Sequence, residues 1–326
     1  MKNKKISSVL LRILVSAVLI FLVFYTTLPA LNLRDRKFIT FLIISILIIL
    51  VVNFLTYVKN FLEGLGHGGM RASRDPVTGR FTFEKSSGTT DRAAIAKPIK
   101  YGLALILILA AFSFIVSLFG IKLFNASRYR DLITISDGDF TSDISELSMS
   151  QIPVVDRDTA FRLGNRKLGE MTELVSQFEI ESNYTQINYK GSPYRVTPLT
   201  YADPIKWFFN MKKGLPAYIT VDMVTQETNL VWLESGMKYS PGEYFFRNIY
   251  RYLRFSYPTK MFDTVSFEID DNGVPYWVAP TITYRVGWWD GKDINGAVLV
   301  NAVTGESQYY PKDEVPQWID QLYTSA

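Results

Sequence analysis

The stretch VLVNAVTGESQYY, Val298 to Tyr310, repeats at a distance of 79 residues the pattern of ITVDMVTQETNLV, Ile219 to Val231. Each reads as a strand, a tight turn and a returning strand. Val-x-Val places alternate side chains on one face of a strand. Thr-Gly-Glu turns the chain, with Gly305 free to take a positive φ. The earlier copy carries Gln226 where the later has Gly305, so its turn is expected to differ in type or to be strained. Two further pairs stand upstream. GSPYRVTP at 191–198 shares five of eight residues with GVPYWVAP at 273–280, and FEI occurs at Phe178–Ile180 and at Phe267–Ile269. Ordered matches whose offsets drift predict a duplicated unit with short insertions between the copies.

The elements around these matches follow one order twice. VVDRDTAFRLGNRKLGEM reads as a helix capped by Asp156 or Asp158, with Ala160, Leu163, Leu168 and Met171 as a partial apolar stripe. SQFEI, YTQINY and GSPYRVTPL read as strands. In the second pass YFFRNIYRYLRF, Tyr244 to Phe255, reads as the helix, VSFEID and PYWVAPTITYRV as strands, and DDNG as the turn between them. VPQWIDQLY reads as a short closing helix. The expectation is an α+β domain with a first repeat over 153–240 and a second over 241–326.

The N-terminal part has a different texture. Three runs of 21 residues lack any charge: Ile13 to Leu33, Phe38 to Val58 and Tyr101 to Ile121. Each is long enough, as a helix, to cross about 30 Å of hydrocarbon. They predict a membrane domain over 1–125 with three transmembrane helices, at about 13–33, 38–58 and 101–121. The first, after the basic MKNKK, reads as a retained anchor, because its apolar run is long and its exit LPALNLRDR has no clear cleavage site. Ser113 and Ser117 form a small-xxx-small pair on the third.

Charge separates the halves. Residues 1–125 hold 16 Lys and Arg against 5 Asp and Glu, whereas the remainder hold 19 against 26. The tail carries Lys2, Lys4, Lys5 and Arg12. The loop at 60–98 with its edges carries eight basic residues, against three in the short loop between the first two spans. The positive-inside rule puts the tail and the basic loop in the cytoplasm. The region from about 126 onward then lies outside, as a multi-pass protein of the cell membrane. Within the basic loop DPVTGRFTF suggests a small hairpin turning at Pro76 and Gly79. Residues 126–152, with SDGDFTSDISELS, read as an acidic stalk. Its Asp137, Gly138, Asp139 and Thr141 depart from the calcium-loop spacing. The acidic outer domain has no dense basic patch and is a poor match for nucleic acid. There is no cysteine, so no disulfide staples it.

Chemistry is sparse in the sequence. His67, in the basic loop, is the only histidine. Nucleophilic triads and histidine metal sites are therefore excluded from the outer domain. No cofactor or metal motif is present. Carboxylates of the type a glycosidase uses occur at Asp222, Glu227, Asp290, Asp293 and Glu306. They read first as turn and surface residues. All six tryptophans lie beyond residue 200. Two aromatic–basic stretches are candidate contacts for the membrane or a partner: Trp207, Phe208 and Phe209 with Lys212 and Lys213, and the helix bearing Arg247, Arg251 and Arg254.

Val221-Asp222-Met223-Val224-Thr225-Gln226-Glu227 and Val300-Asn301-Ala302-Val303-Thr304-Gly305-Glu306 resemble the closing turn of the PepSY class of small α+β domains. That resemblance implies a helix packed on an antiparallel sheet in each repeat. The run from VVDRDTAFRLGNRKLGEM through YTQINYKGSPYRVTPL to VDMVTQE resembles a Gram-positive-type family of membrane proteins loosely labelled cell-shape-determining or colicin-V-production-like. The expected function is that of a non-enzymatic envelope protein without cofactor, set in the lipid bilayer, whose outer domain binds a protein or wall component. The alternative is a membrane-anchored sensor or regulatory subunit. It would restrain a peptidase, or relay an external signal through the cytoplasmic loop.

Overall fold

The computed structural model describes residues 2–66, 70–74, 81–85, 92–133, 137–143, 148 and 152–323. His67, Pro76 and Gly79 lie outside them. The chain forms two units: residues 1–29 with 35–118, and residues 30–34 with 119–326.

The first unit holds three long helices, α1 (Lys2–Thr27), α2 (Arg36–Gly66) and α3 (Arg92–Leu118), and a hairpin of β1 (Met70–Arg74) and β2 (Phe81–Lys85). The helices carry apolar stretches long enough to cross a membrane at Val9–Thr27, Arg36–Leu55 and Lys100–Leu118. The first and third helices end inside their charge-free runs, at Thr27 and Leu118. Leu28 turns left-handed (φ 46°) and Pro29 follows, so α1 ends at Thr27 rather than Leu33. Asp35 accepts the Lys37 N–H at 2.9 Å and starts α2. Helix also invades the expected loop at 60–98, at both ends. Arg12 lies within the first span and donates to Asn53 Oδ1 at 3.2 Å. The Ser117 hydroxyl bonds back to Phe114 in its own helix.

The second unit begins with short helices α4 (Ala126–Arg130) and α5 (Phe140–Asp143) in the acidic segment. Helix α6 (Arg157–Gly169) starts where Asp156 accepts the Thr159 N–H at 2.7 Å, and α7 (Thr172–Val175) follows. Ala160 and Leu168 of α6 are buried, as the stripe predicts. A five-stranded antiparallel sheet comprises β3 (Phe178–Ile180), β4 (Thr185–Tyr189), β5 (Ser192–Tyr201), β6 (Leu215–Asp222) and β7 (Thr228–Met237). Its order is β3-β5-β6-β7, with β4 also on β5. Helix α8 (Pro204–Asn210) links β5 to β6. Then come α9 (Ile249–Ser256) and a four-stranded antiparallel sheet ordered β11-β10-β9-β8. Its strands are β8 (Ser266–Ile269), β9 (Pro275–Val286), β10 (Asp290–Asn301) and β11 (Ser307–Pro311).

The two sheets share a register. Tyr194 faces Asp222 and Val221 faces Thr228 in one; Tyr276 faces Asn301 and Val300 faces Ser307 in the other. Their turns match bond for bond. The N–H groups of Val224 and Thr225 reach Asp222 Oδ1 at 2.8 and 2.9 Å, and those of Val303 and Thr304 reach Asn301 Oδ1, both at 2.9 Å. Gln226 takes φ 65° where Gly305 takes φ 80°. The first turn is therefore of the same kind as the second, with a side chain carried in the left-handed region.

One of the three sequence matches is a coincidence. FEI at 178–180 is β3, on the far end of β5, whereas FEI at 267–269 belongs to β8, which pairs near the start of β9 as β4 does with β5. The counterpart of β3 is the segment around Phe262. The Asp263 backbone N–H donates to the Pro280 carbonyl at 2.9 Å, as the Glu181 backbone N–H donates to the Pro198 carbonyl at 3.2 Å.

The sheets share one core. The Tyr218 ring of β6 lies tilted against Phe267 of β8, Phe267 meets Trp277, and the Tyr218 hydroxyl donates to Gly273 O at 2.8 Å. The closing segment is not a helix. Pro316 has no N–H, and the amides of Asp320 and Gln321 go to the Glu268 carboxylate at 2.9 and 3.2 Å. Asp320 in turn accepts the Asn188 N–H, and Gln321 donates to Gln186 O at 3.0 Å. This tail thus stitches β4 to β8.

Candidate functional site

Asp203 starts α8 by accepting the N–H groups of Ile205 and Lys206, both at 2.8 Å, with Pro204 preset for the first turn. Trp207 then points inward. Its Nε1 donates to Glu243 Oε2 at 2.8 Å, and its ring lies 4.6 Å from Tyr244. The Tyr201 hydroxyl donates to the other Glu243 oxygen at 2.6 Å. Burial pushes the Glu243 carboxyl up, while the Tyr201 and Trp207 hydrogen bonds pull it back. Glu243 is therefore a clamp between β5, α8 and the 3-10 turn Phe245–Arg247.

The clamp divides the predicted contact residues. Phe208 and Phe209 stand out, Phe209 being 74% exposed, and Phe245 (65%), Phe246 and Ile205 join them. Lys212 and Lys213 are exposed beside a hollow of about 390 Å³ that Lys238 also lines. Arg247 is exposed, with Nη1 on Met211 O at 2.6 Å. Trp207 and Arg251 are half-buried. Arg254 is buried, correcting its reading as a surface cation. Its Nη1 donates to the carbonyls of Pro258 and Lys260 at 3.2 and 2.7 Å, beneath the Phe262 ring. The expected helix over 244–255 starts only at Ile249. Phe245 turns left-handed (φ 52°), and Asn248 caps α9. Ile205 and Phe246 carried the signal of apolar residues next to charged ones, but no periodicity marked them.

The same unit builds in the short loop 30–34. Leu31 N–H donates to Pro258 O at 2.7 Å, and Asn32 Nδ2 to Thr259 O at 3.3 Å. The Trp289 indole donates to Leu33 O at 3.3 Å.

A second feature is a cleft of about 340 Å³ on the second sheet, lined by residues of β9, β10, β11 and the C-terminal tail. Tyr276, Tyr310 and Trp318 form aromatic walls, with the Tyr276 and Trp318 rings 5.3 Å apart. Asp270 and Glu306 bring carboxylates to it. Asp270 Oδ1 already accepts the N–H groups of Asn272 and Val274. The other candidate acids are engaged elsewhere. Asp222 caps its turn: burial opposes its ionisation, but the N–H bonds of Thr225 and Val224 outweigh that and hold its carboxyl below the usual range. Glu227 accepts from Asn229 at 3.1 Å, Asp293 pairs with Arg285, and Asp290 lies beside Gly120. Trp318 could have been noticed as a tryptophan beside Pro316; Tyr276 and Tyr310 looked like ordinary strand aromatics.

No protein-family model, curated protein or solved structure matches this chain.

Proposed function

We propose that this is a non-enzymatic integral membrane protein of the cell envelope, and that its C-terminal domain lies outside and binds a protein or wall component. The observation that carries the reading is the cleft. Aromatic faces beside carboxylates suit a sugar ring or a chain bearing an ammonium group. The basic tail and basic loop support a cytoplasmic placement of the opposite side. We also read the two sheets as copies of one PepSY-like unit. Their common register and matching turns support duplication, and α8, present between β5 and β6 alone, accounts for the offset drift from 82 to 79.

The test is co-purification of wild type and Trp318→Ala from native membranes in mild detergent. The reading expects a bound envelope component that the variant loses. Recovery of the wild type only as an isolated monomer would sink it. A second reading, an envelope glycosidase, draws on Asp270 and Glu306 lining one cleft. It requires release of reducing ends from wall glycan by the wild type and none by Glu306→Gln.

A further inference from the structure

The exposed rings of α8 and the 3-10 turn are a preformed surface. The Trp207–Glu243–Tyr201 clamp holds the two short elements together, so Phe208, Phe209, Phe245 and Phe246 stay outward without needing to reorganise. Large apolar side chains gathered this way on a folded unit mark an interaction surface. Lys212, Lys213 and Arg247 are exposed on the same elements, and the hollow beside the two lysines is lined by Lys238 with one acid, Glu234, so cations prevail at the border. Apolar rings ringed by cations match the boundary between acyl chains and anionic headgroups.

Connectivity points the same way. Phe246 packs edge-on against Phe255, ring centres 5.5 Å apart, at the end of α9. Immediately beyond, Pro258 and Thr259 accept hydrogen bonds from Leu31 and Asn32. Those residues belong to the few that join α1 to α2, so a chain leaving one apolar helix and entering the next cannot stray far from the membrane surface. The length of α9, eight residues or about 12 Å, separates that loop from the Phe245–Arg247 turn. Arg254 fixes this junction by holding the carbonyls of the 258–260 loop.

We propose that α8, the Phe245–Arg247 turn and the adjoining end of α9 lie in the interface of the bilayer that the protein spans, with the phenylalanines in its acyl boundary and the lysines on anionic headgroups. This is independent of the cleft and of which side of the membrane the domain occupies.

The natural absence of cysteine supplies the experiment. Full-length Phe209→Cys, labelled with an environment-sensitive fluorophore, is placed in nanodiscs of phosphatidylcholine and phosphatidylglycerol. Phe246→Cys gives an independent second reading. Glu227→Cys is the control, at the turn about 26 Å along β6 from Gly214. With nitroxide-bearing lipids the labels at 209 and 246 should lose most of their fluorescence and the label at 227 should keep it. Omitting phosphatidylglycerol should weaken the quenching. Equal behaviour at all three positions overturns the proposal. So does a shielded but unquenched label at 209 that crosslinks to a second copy, because the face then joins protomers.

Discussion

Glu268→Gln tests how the C-terminal tail is held. Glu268 is fully buried, yet its carboxylate accepts two backbone N–H groups of the tail and the Ser266 hydroxyl. Burial pushes its pKa from 4.5 up to about 7, against the pull of these hydrogen bonds. A carboxyl whose folded pKa lies above its unfolded value binds more protons folded than unfolded. Its favourable contribution is full below pH 4.5 and is lost as pH rises towards 7 and beyond. A displacement of that size corresponds to roughly 3 kcal/mol. For a domain of this size that is on the order of 6–12 °C in Tm. Asp320 and Glu243 are also raised, chiefly by burial, and add slope of the same sign, so the wild type alone does not isolate Glu268. The comparison with Glu268→Gln does. Thermal unfolding of the full chain in nanodiscs, followed by tryptophan emission, is measured from pH 4.5 to 8. The wild type should lose Tm relative to the variant across this interval and then run parallel to it. A constant gap between the two over the whole range would refute the reasoning.

The paired turns make opposite predictions. Gln226→Gly should stabilise by roughly 0.5 kcal/mol, the left-handed strain relieved less the added freedom of the unfolded chain. Gly305→Gln should destabilise by about 2 kcal/mol, since its Cβ runs into the Tyr239 ring. Both are read from Tm at constant pH. Trp207→Phe removes a donor from buried Glu243 and should cost about 1–3 kcal/mol. It should also raise hydrogen exchange in α8, whereas Phe208→Ser should leave both unchanged.

What was legible in the sequence was what local chemistry settles. Asp156 caps its helix because a carboxylate there meets a free N–H, whatever lies beyond. The turn at Asp270 to Gly273 forms for the same reason. The apolar helices were legible from absence of charge, but their ends were not, because Pro29 and the left-handed Leu28 stop α1 inside an uncharged run. The FEI match misled because three residues of strand propensity specify a strand and not a neighbour. Pairing placed one copy beside the end of β5 and the other beside the start of β9. Glu268 was invisible for a related reason. In SFEID it alternates as an outward residue would, and only the tail, more than fifty residues on, covers it.

The aromatic–basic stretches show where composition stops. Trp207 and Phe208 are adjacent and both aromatic, yet one is clamped and the other exposed. The choice is made by Glu243, thirty-six residues away, which offers an acceptor to an indole and none to a phenyl ring. Arg254 and Arg247 part in the same way: both donate to carbonyls, but Arg254 is buried beneath the loop that follows it and Arg247 stays exposed on Met211 O. Nothing in LPALNLR announced that residues 30–34 belong to the C-terminal unit, because each of their bonds has a backbone carbonyl or N–H on at least one side, and such groups occur in every sequence. That membership has a physical consequence. The unit is joined to apolar helices through residues 30–34 as well as through Phe119, so it is tethered at two places rather than one. A second tether lowers the entropy lost when a surface meets the bilayer, by raising the effective concentration of one for the other. The exposed phenylalanines then need supply only part of the free energy that a free peripheral domain would require.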